Sequence, residues 1–178
     1  MATVRMSRDL HEQFRADLRG SDEQVGFFLA VFDARDRAFL VRDWRAIPAS
    51  GFEIQSPYHV TLTDEAKGDV IRWAWDRALC LIEAHSHGEL YPAEISPSDM
   101  WGLSEWVPHL SWRLQGRPYA ALVVAGEEVD GLAWVDHPRD PEPILTLELD
   151  DGAVMSTTGW TAARLEAIGS GTGRPPDE

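Results

Sequence analysis

Ala78-Leu79-Cys80-Leu81-Ile82-Glu83-Ala84-His85-Ser86-His87 reads as an apolar strand that ends in a pair of histidines. Side chains at i and i+2 of a strand share a face. His85 and His87 therefore set two imidazoles side by side, as a mononuclear metal site requires. Ser96-Pro97-Ser98-Asp99 follows, with Asp99 twelve residues past His87 and able to offer a carboxylate oxygen as a third ligand. Two nitrogens and one oxygen, with a fourth position left to water, form the ligand set of a hydrolytic zinc site.

An H-x-H pair alone carries little, because two polar residues at a strand end are common. Ser96-Pro97-Ser98-Asp99 also has a plain structural meaning. Serine, proline at the first helical position and an acid three residues after the serine make a helix start close to a capping box. The two meanings agree: a helix start facing the histidine strand aims Asp99 at a shared metal and Ser96 at a substrate.

Outward from this stretch, Leu10, Phe14 and Leu18 recur at helical spacing and predict a helix over 7–18, capped by Ser7 or Asp9. The apolar run 25–32 predicts a buried strand that pairs with 38–47 as a hairpin. Tyr58, Val60 and Leu62 alternate as a short strand, and 63–78 carries the next helix. After the histidine strand, a loop over 88–95 leads to a helix from Ser96 through Leu110. Strands are expected at 119–124, 131–135 and 144–149, then a helix at 159–168. The expected fold is one α/β (α+β) domain over 1–168, with a mixed central sheet flanked by helices. The residues 169–178 are expected to be a disordered tail.

A chain of 178 residues is long enough for one domain with a full core. Thirty acidic residues against 16 lysines and arginines give a formal net charge of −14. Nucleic-acid affinity rests on basic contacts to phosphate, so this balance argues against a DNA or RNA partner and mildly favours a basic protein partner. The single cysteine, Cys80, excludes an internal disulfide and a cysteine-rich zinc module, and its apolar strand predicts a buried structural thiol. The eight tryptophans are expected mostly in the core, with a few lining a groove for a protein partner. Residues 1–8 lack the apolar stretch of a signal peptide, and no apolar run is long enough to span a bilayer. A cytoplasmic protein without membrane association is expected.

Other H-x-H metal folds fit poorly. The chain is too short for a (β/α)₈ barrel. No Asp-His follows the pair, and no H-E-x-x-H helix is present.

Together, His85-Ser86-His87, Ser96-Pro97-Ser98-Asp99 and the upstream Glu23-Gln24-Val25-Gly26-Phe27-Phe28-Leu29-Ala30 resemble the JAB/MPN (JAMM) zinc metalloprotease family. That family's signature is a distant Glu in E-x-x-G-x-x-x-G/A, then H-S/T-H, then S-x-x-D. Glu83, two residues before His85, is similar to the Glu-Trp-His-Ser-His form of prokaryotic members. Gly88 stands where the family usually has proline, and the eight residues between His87 and Ser96 are one more than usual.

The resemblance implies a single MPN/JAB-like domain with a cytidine-deaminase-like arrangement, binding Zn²⁺ through His85, His87 and Asp99. It implies that Glu23 is the general base and acid and that Ser96 donates to the oxyanion. Glu83 ranks below Glu23 as a base and is expected to orient a histidine as an outer support. Glu89 and Glu94 are expected to be solvated acids, and His11, His59, His109 and His137 to be ordinary surface or partly buried side chains. The implied activity is that of a deubiquitinase-like isopeptidase or peptidase acting at the C-terminus of a ubiquitin-like or sulfur-carrier protein. Activating or conjugating enzymes encoded nearby are the implied further partners. A catalytically silent MPN-type scaffold and a small-molecule amide hydrolase remain the alternatives.

Overall fold

The computed structural model describes residues 1–88 and 91–169. Glu89 and nearly all of the expected tail lie outside the described residues. The expected hairpin is present as β2 (Val25–Asp33) and β3 (Ala38–Ala46), its turn held by the Asp33 carboxylate accepting from the Arg35 N–H at 2.9 Å. The histidine strand is β6 (Cys80–Ser86). It pairs antiparallel with β2, Val25 opposite His85 and Phe27 opposite Glu83. On its other side it runs parallel to β7 (Tyr119–Ala125). From there β8 (Glu128–Trp134) and β9 (Glu142–Leu149) continue antiparallel, and β10 (Val154–Ser156) adds to β9.

The N-terminal residues, given no element by the sequence reading, form β1 (Ala2–Met6), parallel to β3 on one side and to β9 on the other. This strand closes the sheet, because β1-β3-β2-β6-β7-β8-β9 returns to β1. The fold is a mixed α+β fold built on a closed seven-stranded barrel, which corrects the expectation of a mixed central sheet flanked by helices. Closure has a physical reason. The free edges of β3 and β9 would expose rows of unpaired backbone groups, and β1 satisfies both. Ala2, Val4 and Met6 alternate inward and are buried.

One buried cluster draws side chains from all seven barrel strands, among them Val4, Phe28, Phe39, Ile82, Leu122 and Ile144, and is the barrel interior. Helix α1 (Arg8–Asp17), N-capped by Ser7, adds Phe14 to it. The second cluster lies on the outer face of β2, β6 and β7, beneath α2 (Asp64–Arg77) and α3 (Pro97–Arg113). The period of two sorts the residues. On β6, Ile82 and Ala84 point inward, while Leu81, Glu83 and His85 lie on the helix-covered side. Three of the eight tryptophans are buried (Trp44, Trp73, Trp134), while Trp75, Trp101, Trp112 and Trp160 are exposed, so tryptophan fills the core less than expected. Cys80 is buried, and burial pushes its thiol up to about 11. No helix among the described residues is long and apolar enough to cross a membrane.

Gly26, the glycine of the upstream motif, has a packing reason. A Cβ at that position would fall 2.2 Å from the Trp44 ring. Gly26→Ala is expected to lower the unfolding free energy by about 1–3 kcal/mol through overpacking, read from urea denaturation. Wild-type stability in that variant would show that the close approach is not what requires glycine.

Candidate metal centre

Two elements deliver the ligand-type side chains. β6 carries His85, His87 follows directly after its end, and α3 begins beside them. The α3 start is a full capping box. The Ser96 hydroxyl oxygen accepts from the Asp99 N–H at 3.1 Å, and Asp99 Oδ2 accepts from the Ser96 N–H at 2.9 Å. The local physics that starts the helix thus also fixes the rotamer of Asp99.

The result is a convergence of ligand atoms. His85 Nε2 lies 3.3 Å from His87 Nε2. Asp99 Oδ2 lies 3.6 Å from His85 Nε2 and 3.5 Å from His87 Nε2. Among the described residues, these three form a group able to hold a metal ion. Zinc ligands at about 2.0–2.2 Å in a tetrahedron stand about 3.3–3.5 Å from one another, so the spacing suits zinc. The tautomer suits it too. His87 Nδ1 donates to the Pro92 carbonyl at 3.0 Å, which leaves the Nε2 lone pair facing the group.

Burial works against a charged Asp99, but the neighbouring His85 and His87 outweigh it and hold its carboxyl far below the usual carboxylate range. Burial likewise opposes a protonated His85, and Asp99 more than compensates, raising its pKa. A carboxylate that stays ionised beside two imidazoles attracts a cation.

Glu23 is brought to the same place and is buried. It lies two residues before Val25, which pairs with His85, so the strand register carries it toward His87. Its backbone is held on both sides. Ser86 clamps the next residue, its Oγ accepting from the Gln24 N–H at 2.9 Å and its N–H donating to the Gln24 carbonyl at 3.0 Å. On the other side lies β4 (Phe52–Ser56). There the Glu23 N–H donates to the Ser56 carbonyl at 2.9 Å, and Gln55 Nε2 donates to the Glu23 carbonyl at 3.0 Å. Burial raises the Glu23 pKa, partly opposed by the fields of His85 and His87.

Glu83 shares the strand face with His85, as the period of two requires, but its hydrogen bond goes elsewhere. Tyr119 Oη donates to Glu83 Oε2 at 2.7 Å. The histidine support expected of Glu83 is given instead, at His87, by the Pro92 carbonyl. Burial raises the Glu83 pKa, against the pull of His85 and Tyr119.

Several contributors were invisible to the sequence reading. Helix α4 (Trp160–Gly169) and the residues before it pin the segment leading into Ser96. Thr158 Oγ1 donates to the Ala93 carbonyl at 2.9 Å, and Thr161 Oγ1 accepts from the Ile95 N–H at 2.9 Å. Arg164 donates to the Ile95 carbonyl and pairs with Glu94 at 2.7 Å, so Glu94 is an anchor and not a free solvated acid. Buried Asp130 in turn accepts from the Gly159 and Thr161 N–H groups. No sequence spacing announces such contacts, since five of these six have a backbone atom as one partner.

A cleft of about 600 Å³ opens beside the ligand group. Its lining includes Val25, Phe27, Leu103 and Trp106, and Glu83, His85 and Asp99 reach into it. His59 and His109, expected to be surface or partly buried side chains, line it as well. One wall is β5 (His59–Leu62), which pairs with β4 in a separate two-stranded sheet. In comparison with known proteins, no family model and no curated protein matches the chain.

Proposed function

We propose that the chain is a zinc-dependent peptidase or isopeptidase of the JAB/MPN kind, acting at the C-terminal tail of a ubiquitin-like or sulfur-carrier protein. One observation carries the reading: His85 Nε2, His87 Nε2 and Asp99 Oδ2 stand within 3.6 Å of one another, with buried Glu23 in their field. The resemblance of Glu23, His85-Ser86-His87 and Ser96 to Asp99 to that family's signature supports the same chemistry.

Zinc, when bound by His85, His87 and Asp99, supplies a Lewis acid that polarises a carbonyl and acidifies water. The protein's own groups do the rest. Glu23 takes a proton from the attacking water on a carboxylate oxygen and hands it to the leaving amine. Its raised proton affinity suits that exchange. The Ser96 hydroxyl oxygen is occupied as an acceptor by the helix start, so its proton is free to donate to the developing oxyanion. Among the described residues β5 has a single strand partner, and its far edge gives an extended tail a backbone to pair with.

The reading is tested with a ubiquitin-like protein extended at its C-terminus through an amide bond. The zinc-supplied chain is expected to release the extension, to stop on addition of a chelator and to resume when zinc is restored. No cleavage of extended or conjugated ubiquitin-like proteins, with small amides hydrolysed by the same preparation, would contradict the substrate class.

A further inference from the structure

Glu83 stands two residues before His85 on the same face of β6, roughly 7 Å along the strand. The hydrogen bond from Tyr119 uses Oε2 and fixes the orientation of the carboxyl group. The residue is only partly buried and lines the cleft. The cleft sets apolar side chains, Val25, Phe27, Leu62 and Leu103 with Trp106 as an aromatic surface, beside polar ones such as His59, Thr61 and His109. The Trp106 indole N–H is buried, with no hydrogen-bond partner among the described residues. Among the described residues, three carboxylates, Glu83, Asp99 and Glu105, line the cleft against one lysine, Lys67, and no arginine.

A cleft that offers both apolar wall and a carboxylate suits a basic side chain. The aliphatic stem is buried along the walls, and the cationic head meets a charge-assisted acceptor. A carboxylate in the specificity pocket of a serine protease works on this logic. The dimensions agree. Five single bonds of about 1.5 Å carry an extended lysine head roughly 6 Å from its Cα, close to the separation of Glu83 from His85 along the strand. A lysine beside the bond held at the ligand group can therefore reach Glu83.

We propose that this cleft is a specificity subsite for a basic residue, lysine or arginine, adjoining the scissile bond of the substrate. Glu83 binds the head of that residue, and Tyr119 positions Glu83. The proposal takes its substrate from the peptidase reading, but it concerns recognition by a group outside the proposed hydrolytic set.

The test uses the full chain supplied with zinc and two capped amino acids, Nα-acetyl-lysine methylamide and Nα-acetyl-norleucine methylamide. The two share a stem and differ in the ammonium head. Binding is followed by NMR through the Trp106 indole signal. The lysine probe is expected to bind about tenfold or more tightly than norleucine and to shift that signal. Glu83→Gln is expected to bring the two within about twofold of each other. Tyr119→Phe, which keeps the carboxylate, is expected to weaken lysine binding while retaining the preference. Equal binding of the probes by the wild-type chain, or a lysine preference that survives Glu83→Gln, overturns the proposal. The wild-type comparison decides even where a variant fails to fold. Preference for lysine in a zinc-loaded chain that cleaves no amide would keep the subsite and remove the peptidase reading. Amide cleavage without any basic preference in binding would do the reverse.

Discussion

Glu23→Gln will keep bound zinc at the wild-type level and lower turnover by about 10²–10⁴-fold, the usual contribution of a positioned general base. Glutamine preserves the shape of the side chain, and the backbone bonds from Gln55 and Ser56 do not involve it. What it removes is the oxygen that takes the proton. Metal analysis and steady-state rates on the same preparation separate the two effects. Near-full activity in this variant, with Glu83→Gln inactive, would transfer the base to Glu83.

The same substitution has a pH signature in the metal-free chain. The folded pKa of Glu23 is raised above its unfolded value, chiefly by burial. A group of that kind contributes stability that is present below the unfolded pKa and is lost as pH rises through the folded one. Glutamine cannot ionise, so the metal-free Glu23→Gln chain should be the more stable at neutral pH. That advantage should shrink as the pH falls below the ordinary glutamate range. Thermal melts at the two pH values read it, and a wild-type chain more stable at neutral pH would contradict it.

Asp99→Ala carries the second large effect, because one carboxylate does two things. Its Oδ2 stands with the histidine nitrogens and also accepts from the Ser96 N–H. Losing an outer partner of a ligand commonly costs 10–100-fold in metal affinity, and losing the ligand itself should exceed about 100-fold. Ser96→Ala is the control. It removes the side-chain half of the cap, worth about 1 kcal/mol, and keeps every ligand atom. Zinc binding should persist there, while turnover falls by about 10²–10³-fold through the lost oxyanion donor. Competition against a chromophoric chelator distinguishes the two variants. Equal zinc affinity in Asp99→Ala and Ser96→Ala would remove Asp99 from the ligand set.

The legible parts of this molecule were those with local causes. Alternation predicts His85 and His87 side by side; the two ring nitrogens do meet, although His87 falls just past the end of β6. The Ser96 to Asp99 pattern is a helix start in sequence and a capping box in the structure. Gly26 was visible only as a motif letter, and the Trp44 ring gives it a cause.

Barrel closure was not legible. Ala2, Val4 and Met6 do alternate, but so short a run says nothing of its partners, and β3 and β9 lie far along the chain. β4 escaped because Glu53 and Ile54 are exposed and lack a buried face to mark the strand. Ser86 looked like a spacer between two histidines, yet its hydroxyl and N–H tie β6 to the residue after Glu23. The supports of the site from Pro92, Ala93 and Ile95 are backbone atoms, which every residue has and no sequence marks.

The metal centre is the central claim, and diffraction at the zinc absorption edge from crystals grown with zinc tests it most directly. One anomalous peak is predicted, within bonding distance of His85 Nε2, His87 Nε2 and Asp99 Oδ2. Zinc-saturated crystals with no peak there, or with the metal held by other residues, would contradict it.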